Sequence, residues 1–203
     1  MIAVIDYRAG NAPSVLNALA HLGASAQRVT GPEGLSAAQA IVLPGVGSAE
    51  ATMQSLAEMG LIEPLKRRVI ADKTPFLGIC IGLQVLFEHS EEGDVDCLGF
   101  LKGTVKRFPG DLRVPQMGWN EAVPVRSHPL WKGLEQGGYF YYVNSYYAAP
   151  EDPTDILAVT EYGLPLPAMV ARDNIMAAQF HMEKSGQAGL QLLRNFVEEV
   201  AGC

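Results

Sequence analysis

The sequence predicts an α/β fold: a single domain whose mixed, mostly parallel central sheet is flanked by helices, with an antiparallel region at one side. Short apolar runs alternate with amphipathic helical patterns up to residue 88, which is typical of a parallel α/β layer. Residues 99–149 are rich in β-forming side chains punctuated by Gly, Pro and aromatic residues. A final helical pattern closes the chain. Because no linker, repeat or low-complexity stretch interrupts this order, we expect residues 1–203 to form one domain.

The N-terminal elements are predicted from the period of their apolar residues. Ile2–Ile5 is a short, continuous apolar run, as in a buried parallel strand. Apolar residues recur at helical spacing over residues 11–22, and Gly23 then favours a helix end. The same reasoning predicts strands over residues 25–29, 40–43 and 76–79, and helices over residues 48–59, 61–71 and 83–88.

The second half of the chain predicts antiparallel strands followed by one long helix. The predicted strands cover residues 104–108, 121–125, 139–143, 156–160, 169–172 and 175–179. Residues 186–200 carry Leu190, Leu193, Phe196 and Val200 on one helical face, so this segment should pack against the sheet.

Composition excludes several classes of protein. The net charge of −7 argues against a nucleic-acid binder, because phosphate contacts need clustered Lys and Arg. Residues 66–68 form the only basic cluster, and a solvated helix face is its simplest interpretation. The three cysteines, Cys80, Cys97 and Cys203, are too few and too irregularly spaced for a disulfide framework or a zinc site.

Localisation and cofactors follow from what the sequence lacks. The first apolar run is too short for a signal peptide and has no basic leading segment. No apolar stretch reaches membrane-spanning length. We therefore expect a cytoplasmic protein with reduced cysteines, no metal and no cofactor, which contacts neither membranes nor nucleic acids.

The sharpest local signal is Gly78-Ile79-Cys80-Ile81-Gly82, between a predicted strand and a predicted helix. This is the nucleophile-elbow pattern with Cys in place of Ser. The glycines would relieve crowding at the tight turn, and the helix N-terminus would favour the thiolate. The amide of Ile81 would point toward an oxyanion. On this pentapeptide alone, a buried core cysteine is an equally good interpretation.

A cysteine nucleophile needs a base and a group that orients the base. His181 and Glu183 follow a predicted strand, and side chains two apart on a strand face the same side. Both can therefore address one site if the strand continues that far. A lone His is more often structural, but a carboxylate two residues later, together with a cysteine elbow elsewhere, favours the catalytic interpretation.

A third element is the loop Pro44-Gly45-Val46-Gly47, at the carboxyl end of a predicted strand. In α/β sheets ligands bind at this edge, and Gly-rich loops offer backbone amides to anions. The Gly-Lys-Ser/Thr ending of a phosphate-binding loop is absent. An ordinary strand-to-helix turn is the simpler alternative.

Taken together, these motifs resemble the class I (triad) glutamine amidotransferases, and within them the glutaminase subunits of imidazole glycerol phosphate synthases. The resemblance covers nearly the whole chain and implies the fold of that class. It is carried by Pro44-Gly45-Val46-Gly47, Gly78-Ile79-Cys80-Ile81-Gly82-Leu83-Gln84, Pro115-Gln116-Met117-Gly118-Trp119-Asn120, Asn144-Ser145-Tyr146 and His181-Met182-Glu183-Lys184-Ser185.

The resemblance implies a role for each matching position. Cys80 would attack the glutamine amide, His181 would move the proton and Glu183 would orient His181. The oxyanion loop would comprise Gly45, Val46 and Gly47, completed by Ile81. The substrate-binding residues would be Gln84, Glu92, Asn144, Ser145 and Tyr146. The residues near the partner, a (β/α)₈-barrel cyclase subunit in a heterodimer, would be Asn11, Trp119, Asn120, Tyr141 and Lys184.

Two positions depart from the family pattern and leave alternatives open. Met182 stands where Pro is usual, which would loosen the backbone between His181 and Glu183, and Asn144 stands where His is common. The alternatives are a glutaminase for another synthase, a cysteine peptidase or isomerase with the same elbow, and a silent regulatory subunit. Gln84 argues against the peptidase, and the complete set of Cys80, His181 and Glu183 argues against the silent subunit.

Overall fold

A computed structural model of the protein describes residues 1–8, 11–110 and 112–202, so that Cys203 lies outside the described residues. The strands are β1 (Ile2–Ile5), β2 (Ala26–Val29), β3 (Ala40–Leu43), β4 (Phe76–Ile79), β5 (His89–Ser90), β6 (Val95–Asp96), β7 (Gly103–Arg107), β8 (Gln116–Pro124), β9 (Gly138–Asn144), β10 (Tyr146–Pro150), β11 (Ile156–Glu161), β12 (Pro165–Arg172) and β13 (Ile175–Ala178). The α-helices are α1 (Ala12–His21), α2 (Ala49–Glu58), α3 (Ile62–Lys66), α4 (Ile81–Gln84) and α5 (Gly186–Asn195).

In the part of the chain that the structure describes, nine strands form the central sheet, in the order β2-β1-β3-β4-β13-β12-β11-β8-β9. The first five strands of this order pair in parallel, and β13 to β9 pair antiparallel. Every residue of β1, β3, β4 and β13 is buried, as continuous apolar runs predict for strands covered on both faces. The predicted α/β class with a mixed sheet is confirmed.

Two hydrophobic clusters cover the two faces of this sheet. Along β1, Ile2 and Val4 point into one cluster and Ala3 and Ile5 into the other, as the two-residue period of a strand requires. The first cluster includes α1 and α5, and the second includes α2 and α3. Helices on both faces leave the carboxyl edge of the parallel strands β3, β4 and β13 as the open edge, where α/β proteins place ligands.

A second, four-stranded sheet of order β10-β7-β5-β6 was not expected from the sequence. Strands β5 and β6 have only two residues each, which is too short to show a period of two. The start of β8 was missed as well: the predicted strand began at residue 121, whereas β8 begins at Gln116. A glycine in that missed segment, Gly118, weakens the strand pattern.

The predicted helix over residues 83–88 is wrong. The α-helix ends at Gln84, and the carbonyls of Val85, Leu86 and Phe87 accept hydrogen bonds from the amides of residues 98–101 instead of continuing the helix. The hydrogen bonds to residues 98–101 therefore override the helical spacing of the apolar side chains in this segment. The predicted helices 61–71 and 186–200 begin as α3 and α5 and finish in π-type turns, Arg67–Ala71 and Phe196–Val200.

The strand does not continue to Glu183, which was the condition for placing the side chains of His181 and Glu183 on one strand face. Strand β13 ends at Ala178, and Met182–Lys184 forms a 3₁₀ turn that leads into α5. Within residues 1–8, 11–110 and 112–202, no helix is long and apolar enough to cross a membrane.

Candidate active site

Cys80 occupies the sharp turn between β4 and α4. Its backbone has φ +56° and ψ −108°, a conformation that residues other than glycine rarely adopt. The Cys80 amide donates to the Ala178 carbonyl at 2.8 Å, which joins the turn to the end of β13. The turn therefore holds Cys80 at the carboxyl edge of the sheet, as the elbow pattern predicts.

The glycines of the elbow are required by close packing. A Cβ atom on Gly78 would lie 2.4 Å from the Gly82 carbonyl oxygen. A Cβ atom on Gly82 would lie 1.9 Å from the carbonyl oxygen of Leu43, at the end of β3. Neither distance is compatible with a side chain, so both glycines serve the close approach of β3, β4 and α4.

His181 and Glu183 meet through the 3₁₀ turn. The His181 Nδ1 atom lies 2.8 Å from Glu183 Oε1, and both side chains are buried. The backbone of His181 is held on both sides: its amide donates to the Tyr141 carbonyl at 2.9 Å, and its carbonyl accepts from Ser185 Oγ at 2.6 Å. His181 and Glu183 therefore come together through a 3₁₀ turn rather than through a continued strand.

Met182, which stands where Pro is usual in the family, is packed closely in this turn. Its side chain is fully buried, and its carbonyl accepts the Ser185 amide at 3.1 Å. Gly189 of α5 packs so closely on this carbonyl that a Cβ atom there would lie 2.0 Å from the oxygen. The packing of α5 thus restrains the Met182–Glu183 peptide, which follows the one that a proline at position 182 would restrict.

The charges of Cys80, His181 and Glu183 are strongly coupled. Burial lowers the pKa of His181, but hydrogen bonds and negative charge from Cys80 and Glu183 outweigh burial and raise this pKa from 6.5 to about 10. Burial raises the pKa of Glu183, but its hydrogen bond and ion pair with His181 outweigh burial and hold that pKa below the ordinary value. At neutral pH the pair is therefore an imidazolium and a carboxylate.

Asn11 extends this arrangement by one residue. Its Nδ2 atom donates to Glu183 Oε1 at 2.8 Å, although 172 positions separate the two residues in sequence. The resemblance had assigned Asn11 only to the partner side. In the structure its side chain helps to hold the carboxylate that contacts His181.

A cavity of about 270 Å³ opens above Cys80. It is lined by Val46, Gly47, Cys80, Ile81, Gln84, Glu92, Pro115, Val143, Asn144, Ser145, Tyr146, His181 and Lys184. All five residues that were expected to bind substrate therefore share one cavity with Cys80 and His181. The cavity has the size for a small polar molecule rather than for a folded peptide segment.

The polar groups of the cavity wall are fixed by backbone contacts. Glu92 accepts the Ala49 amide at the start of α2 at 2.9 Å; burial raises the pKa of Glu92, and this hydrogen bond opposes the rise. Gln84 and Asn144 both donate to the Tyr146 carbonyl, at 3.2 and 3.0 Å. Asn144 therefore holds the Ser145-Tyr146 corner that closes one side of the cavity.

The loop 44–47 has one clamped glycine and one free glycine. A Cβ atom on Gly45 would lie 1.8 Å from Ile81 Cγ2 and 2.1 Å from the Tyr7 hydroxyl. Gly47 has φ +105°, and apart from its two chain neighbours no heavy atom of the described residues lies within 4 Å of a Cβ atom built there. As the first residue of α4, Ile81 carries one of the amides that a helix leaves without an internal acceptor.

The residues expected near a partner do not all lie on one face. Trp119 of β8 and Tyr141 of β9 are cross-strand neighbours with ring centroids 6.2 Å apart, and Trp119 is 58% exposed. Exposed Lys184 lies at the cavity rim. Asn120 points to the opposite face from Trp119, and its Nδ2 donates to the Glu161 carbonyl at 2.9 Å.

Gln179 is a site residue that the sequence did not indicate. It lies between β13 and His181, it is buried, and its Nε2 atom is 3.9 Å from Cys80 Sγ. The available signal was a polar residue at the end of a buried strand, two positions before the candidate base. Among the described residues, no group of His, Cys, Asp or Glu side chains has the arrangement of a metal site.

The α/β fold, with Cys80, His181 and Glu183 gathered at one edge of its sheet, is typical of cysteine-dependent hydrolases. Residues 3–200 match the family model described as glutamine amidotransferase class-I. The chain belongs to the class-I glutamine amidotransferase family and, within it, to the family of HisH subunits of imidazole glycerol phosphate synthase.

Relatives cover essentially the whole chain. It is 54% identical to imidazole glycerol phosphate synthase subunit HisH of Herpetosiphon aurantiacus over 98% of this chain and 94% of the relative. It is 47% identical to the HisH subunit of Dehalococcoides mccartyi, over 100% of this chain and 98% of that relative. A crystal structure of a glutamine amidotransferase superposes with a TM-score of 0.80 at 22% identity, covering both chains fully. The structure of PurLQS from Thermotoga maritima gives 0.75 at 17% identity, over 98% of this chain and 97% of that chain. These two likenesses show the shared fold.

Proposed function

We propose that this chain hydrolyses glutamine to glutamate and ammonia, and delivers the ammonia to a (β/α)₈-barrel cyclase subunit that makes imidazole glycerol phosphate in histidine biosynthesis. The two chains would form a cytoplasmic heterodimer, and residues 1–203 would act as one glutamine amidotransferase domain. Membership of the HisH family supports the pathway and the need for a partner.

The observation that carries the chemistry is the elbow cysteine at the floor of a small polar cavity, beside a buried His–Glu pair. The Cys80 thiolate attacks the side-chain amide carbon of glutamine and forms a tetrahedral intermediate. His181 already carries a proton and gives it to the amide nitrogen, which leaves as ammonia. A water molecule, deprotonated by His181, then hydrolyses the thioester to glutamate and restores Cys80.

The polar groups of the cavity are suited to the amino-acid end of glutamine. Glu92 has one carboxylate oxygen bound to Ala49, which leaves the other for the substrate ammonium group. Ser145 and Tyr146 line the wall that would face the substrate carboxylate. Recognition of both ends of the amino acid would place the side-chain amide at Cys80, and this positioning favours glutaminase over peptidase activity.

The partner surface we propose is an exposed strip on β8 and β9. Met117 and Trp119 of β8 face Val143 and Tyr141 of β9, and Tyr139 continues the strip. Met117 and Tyr139 are 66% and 61% exposed. Exposed aromatic and Met side chains are enriched at protein interfaces. Because Val143 also lines the cavity, a partner covering this strip would lie beside the point at which ammonia is released.

We also propose that the partner controls the site through the loop 44–47. An oxyanion hole needs two donors, and Ile81 supplies only one of them from a fixed helix start. The second would come from the Val46–Gly47 region, whose peptide can reorient because Gly47 has few steric barriers. A partner that binds the reoriented loop more tightly would increase the fraction of chains with that loop conformation. The glutaminase rate would rise with this fraction, by at most the ratio of the partner's two affinities.

The test is ammonia release from glutamine by the chain alone, by the chain with a (β/α)₈-barrel cyclase subunit, and by that complex with the cyclase's nucleotide substrate. We expect slow release by the chain alone and fast release by the loaded complex. The Cys80→Ala chain in the same complex is the matched control and should release no ammonia. Hydrolysis of peptides but not of glutamine would favour the peptidase alternative, and stimulation only by a different synthase would move the chain to another pathway.

A further inference from the structure

A chain of buried side-chain amides leads from the cavity wall to the sulfur of Cys80. Gln84 lines the cavity and donates from Nε2 to Gln179 Oε1 at 3.0 Å. Gln179 in turn directs its Nε2 at Cys80 Sγ, 3.9 Å away. Both glutamines are at least nine-tenths buried, with exposures of 4% and 2%, so water does not compete for these contacts.

The direction of this chain is fixed by a backbone carbonyl. The Tyr146 carbonyl can only accept, so the Gln84 group 3.2 Å from it must be the NH₂ group. Turning Gln84 over would place two acceptor oxygens against each other. With the Gln84 NH₂ group so placed, the Gln179 atom that faces it must be the oxygen. The remaining group of Gln179, its NH₂, therefore points at Cys80.

We propose that Gln179 is a positioning residue that donates a hydrogen bond to the Cys80 thiolate, with its orientation set by Tyr146 through Gln84. Sulfur in the thiolate form is an acceptor, and an N–H donor stabilises it over the neutral thiol. His181 acts on Cys80 from the cavity, whereas Gln179 is absent from the cavity lining and contacts Cys80 from the buried side. Two other groups face Cys80: the Val143 carbonyl, 3.9 Å from Sγ, can accept only from the neutral thiol, and the Tyr7 hydroxyl interacts with Cys80 electrostatically. Among the groups facing Cys80, Gln179 is the one whose removal takes away a donor from the buried side.

The same chain has a consequence for substrate selection. Both protons of the Gln84 NH₂ group are used, one by Gln179 and one by the Tyr146 carbonyl. Only the carbonyl oxygen of Gln84 remains for the cavity. Gln84 therefore offers an acceptor there, which suits an NH₂ or ammonium group and repels a carboxylate. This selection rests on the proposed glutaminase function, whereas the contact of Gln179 with Cys80 does not.

The inference is tested by the pH dependence of Cys80 alkylation. Iodoacetamide reacts with the thiolate, and peptide mapping separates Cys80 from the other cysteines. Gln179→Met keeps the length of the side chain but removes the donor. We expect the midpoint of the alkylation profile to rise by about half to one pH unit, which is about a 3- to 10-fold loss of thiolate below the midpoint. Gln191→Met is the matched control, because it removes an amide hydrogen bond of 2.9 Å on α5, outside the cavity.

A midpoint unchanged from the parent in a folded Gln179→Met chain would overturn the inference, since a residue with a merely structural role would not move it. If this variant does not fold, the unmutated chain decides the question. The side-chain NH₂ resonance of Gln179 should shift as Cys80 ionises and stop shifting once Cys80 is alkylated. A Gln179 resonance whose chemical shift does not change when Cys80 ionises would refute the contact. Failure of the proposed function would instead show as an absence of glutamine hydrolysis in the parent complex, whatever the alkylation profile.

Discussion

Exchange of Asn11 for Asp should make the enzyme pH-sensitive. In the parent chain, Asn11 Nδ2 lies 2.8 Å from Glu183 Oε1, and the same oxygen contacts His181 Nδ1. Asn11→Asp keeps the shape of the side chain and replaces the donor with a second carboxyl group. Two carboxylates at this distance cannot both be ionised without a large cost, so we expect them to share one proton.

The cost follows from the distance. Two unit charges separated by the 2.8 Å of the present contact repel by roughly 6 kcal/mol at an effective dielectric constant of about 20, or about four pKa units. Asn11 is only half-buried and protonated His181 contacts the same Glu183 oxygen, so screening by water and by this positive charge leaves about half of that value as the lower bound. Added to the ordinary Asp value, these bounds place loss of the shared proton between about pH 6 and pH 8.

The direction of the change follows from the two protonation states. Below this range, the protonated carboxyl group introduced by Asn11→Asp donates to Glu183 as Asn11 does, and the pair with His181 is kept. Above it, the second negative charge displaces Glu183 from His181. Asn11→Ala is the control, because it removes the donor at every pH without adding a charge. Asn11→Ala loses one hydrogen bond to a charged group, and this loss should cost no more than about 1.5–3 kcal/mol.

The assay is glutamine hydrolysis by each variant at saturating partner and cyclase ligand, from pH 6 to pH 9. We expect Asn11→Asp to equal or exceed Asn11→Ala at pH 6, and to fall at least about tenfold below it by pH 9. Taking the ratio of the two variants removes the pH dependence of the partner and any shared effect on docking. Parallel pH profiles would refute the argument that Asn11 acts through Glu183.

Four further expectations concern the remaining site residues. Cys80→Ala should lower ammonia release by several orders of magnitude without changing the circular dichroism spectrum, and near-parental release would contradict its role as nucleophile. Glu183→Gln should lower kcat less than His181→Ala, as orienting members of triads usually do; a rate equal to the parent's would show that Glu183 has no part in catalysis. His181 should carry protons on both ring nitrogens at pH 8, because its pKa is raised to about 10; a neutral ring in the ¹⁵N spectrum at pH 8 would exclude the ion pair. Gly47→Ala should change the stimulation of glutaminase by the partner about 5- to 150-fold, because φ +105° costs a residue with a side chain roughly 1–3 kcal/mol. Gly45→Ala, in contrast, should mainly lower the melting temperature. Unchanged stimulation in Gly47→Ala would count against the loop as the control element.

The parts of the fold that the sequence predicted are those with a strong local signal. Continuous apolar runs located β1, β3, β4 and β13, because strands buried on both faces must be apolar throughout. The small second sheet gave no such signal, because its pairing depends on distant segments rather than on a local period. The predicted helix at residues 83–88 failed for a related reason: its carbonyls are used by the segment 98–101.

The site divides in the same way. Gly78 and Gly82 mark Cys80 within five residues, so a sequence pattern can reveal the elbow. The contact of Asn11 with Glu183 spans 172 positions, and that of Gln179 with Cys80 spans 99, so no local pattern reports either of them. The roles assigned to these residues remain predictions until the variants are measured.

The geometry of the loop 44–47 narrows the place where a partner can act. We place the proposed control step at the oxyanion hole, because the loop that would supply its second donor has space to move. Gly45 cannot move far, because it is packed between Ile81 and Tyr7. Val46 is 38% exposed and Gly47 has open space around it, so the peptide that joins them is the part of the loop with freedom to turn. A partner that covers Val46 would contact that peptide directly, and could couple docking to the second oxyanion donor without moving Cys80, His181 or the sheet beneath them.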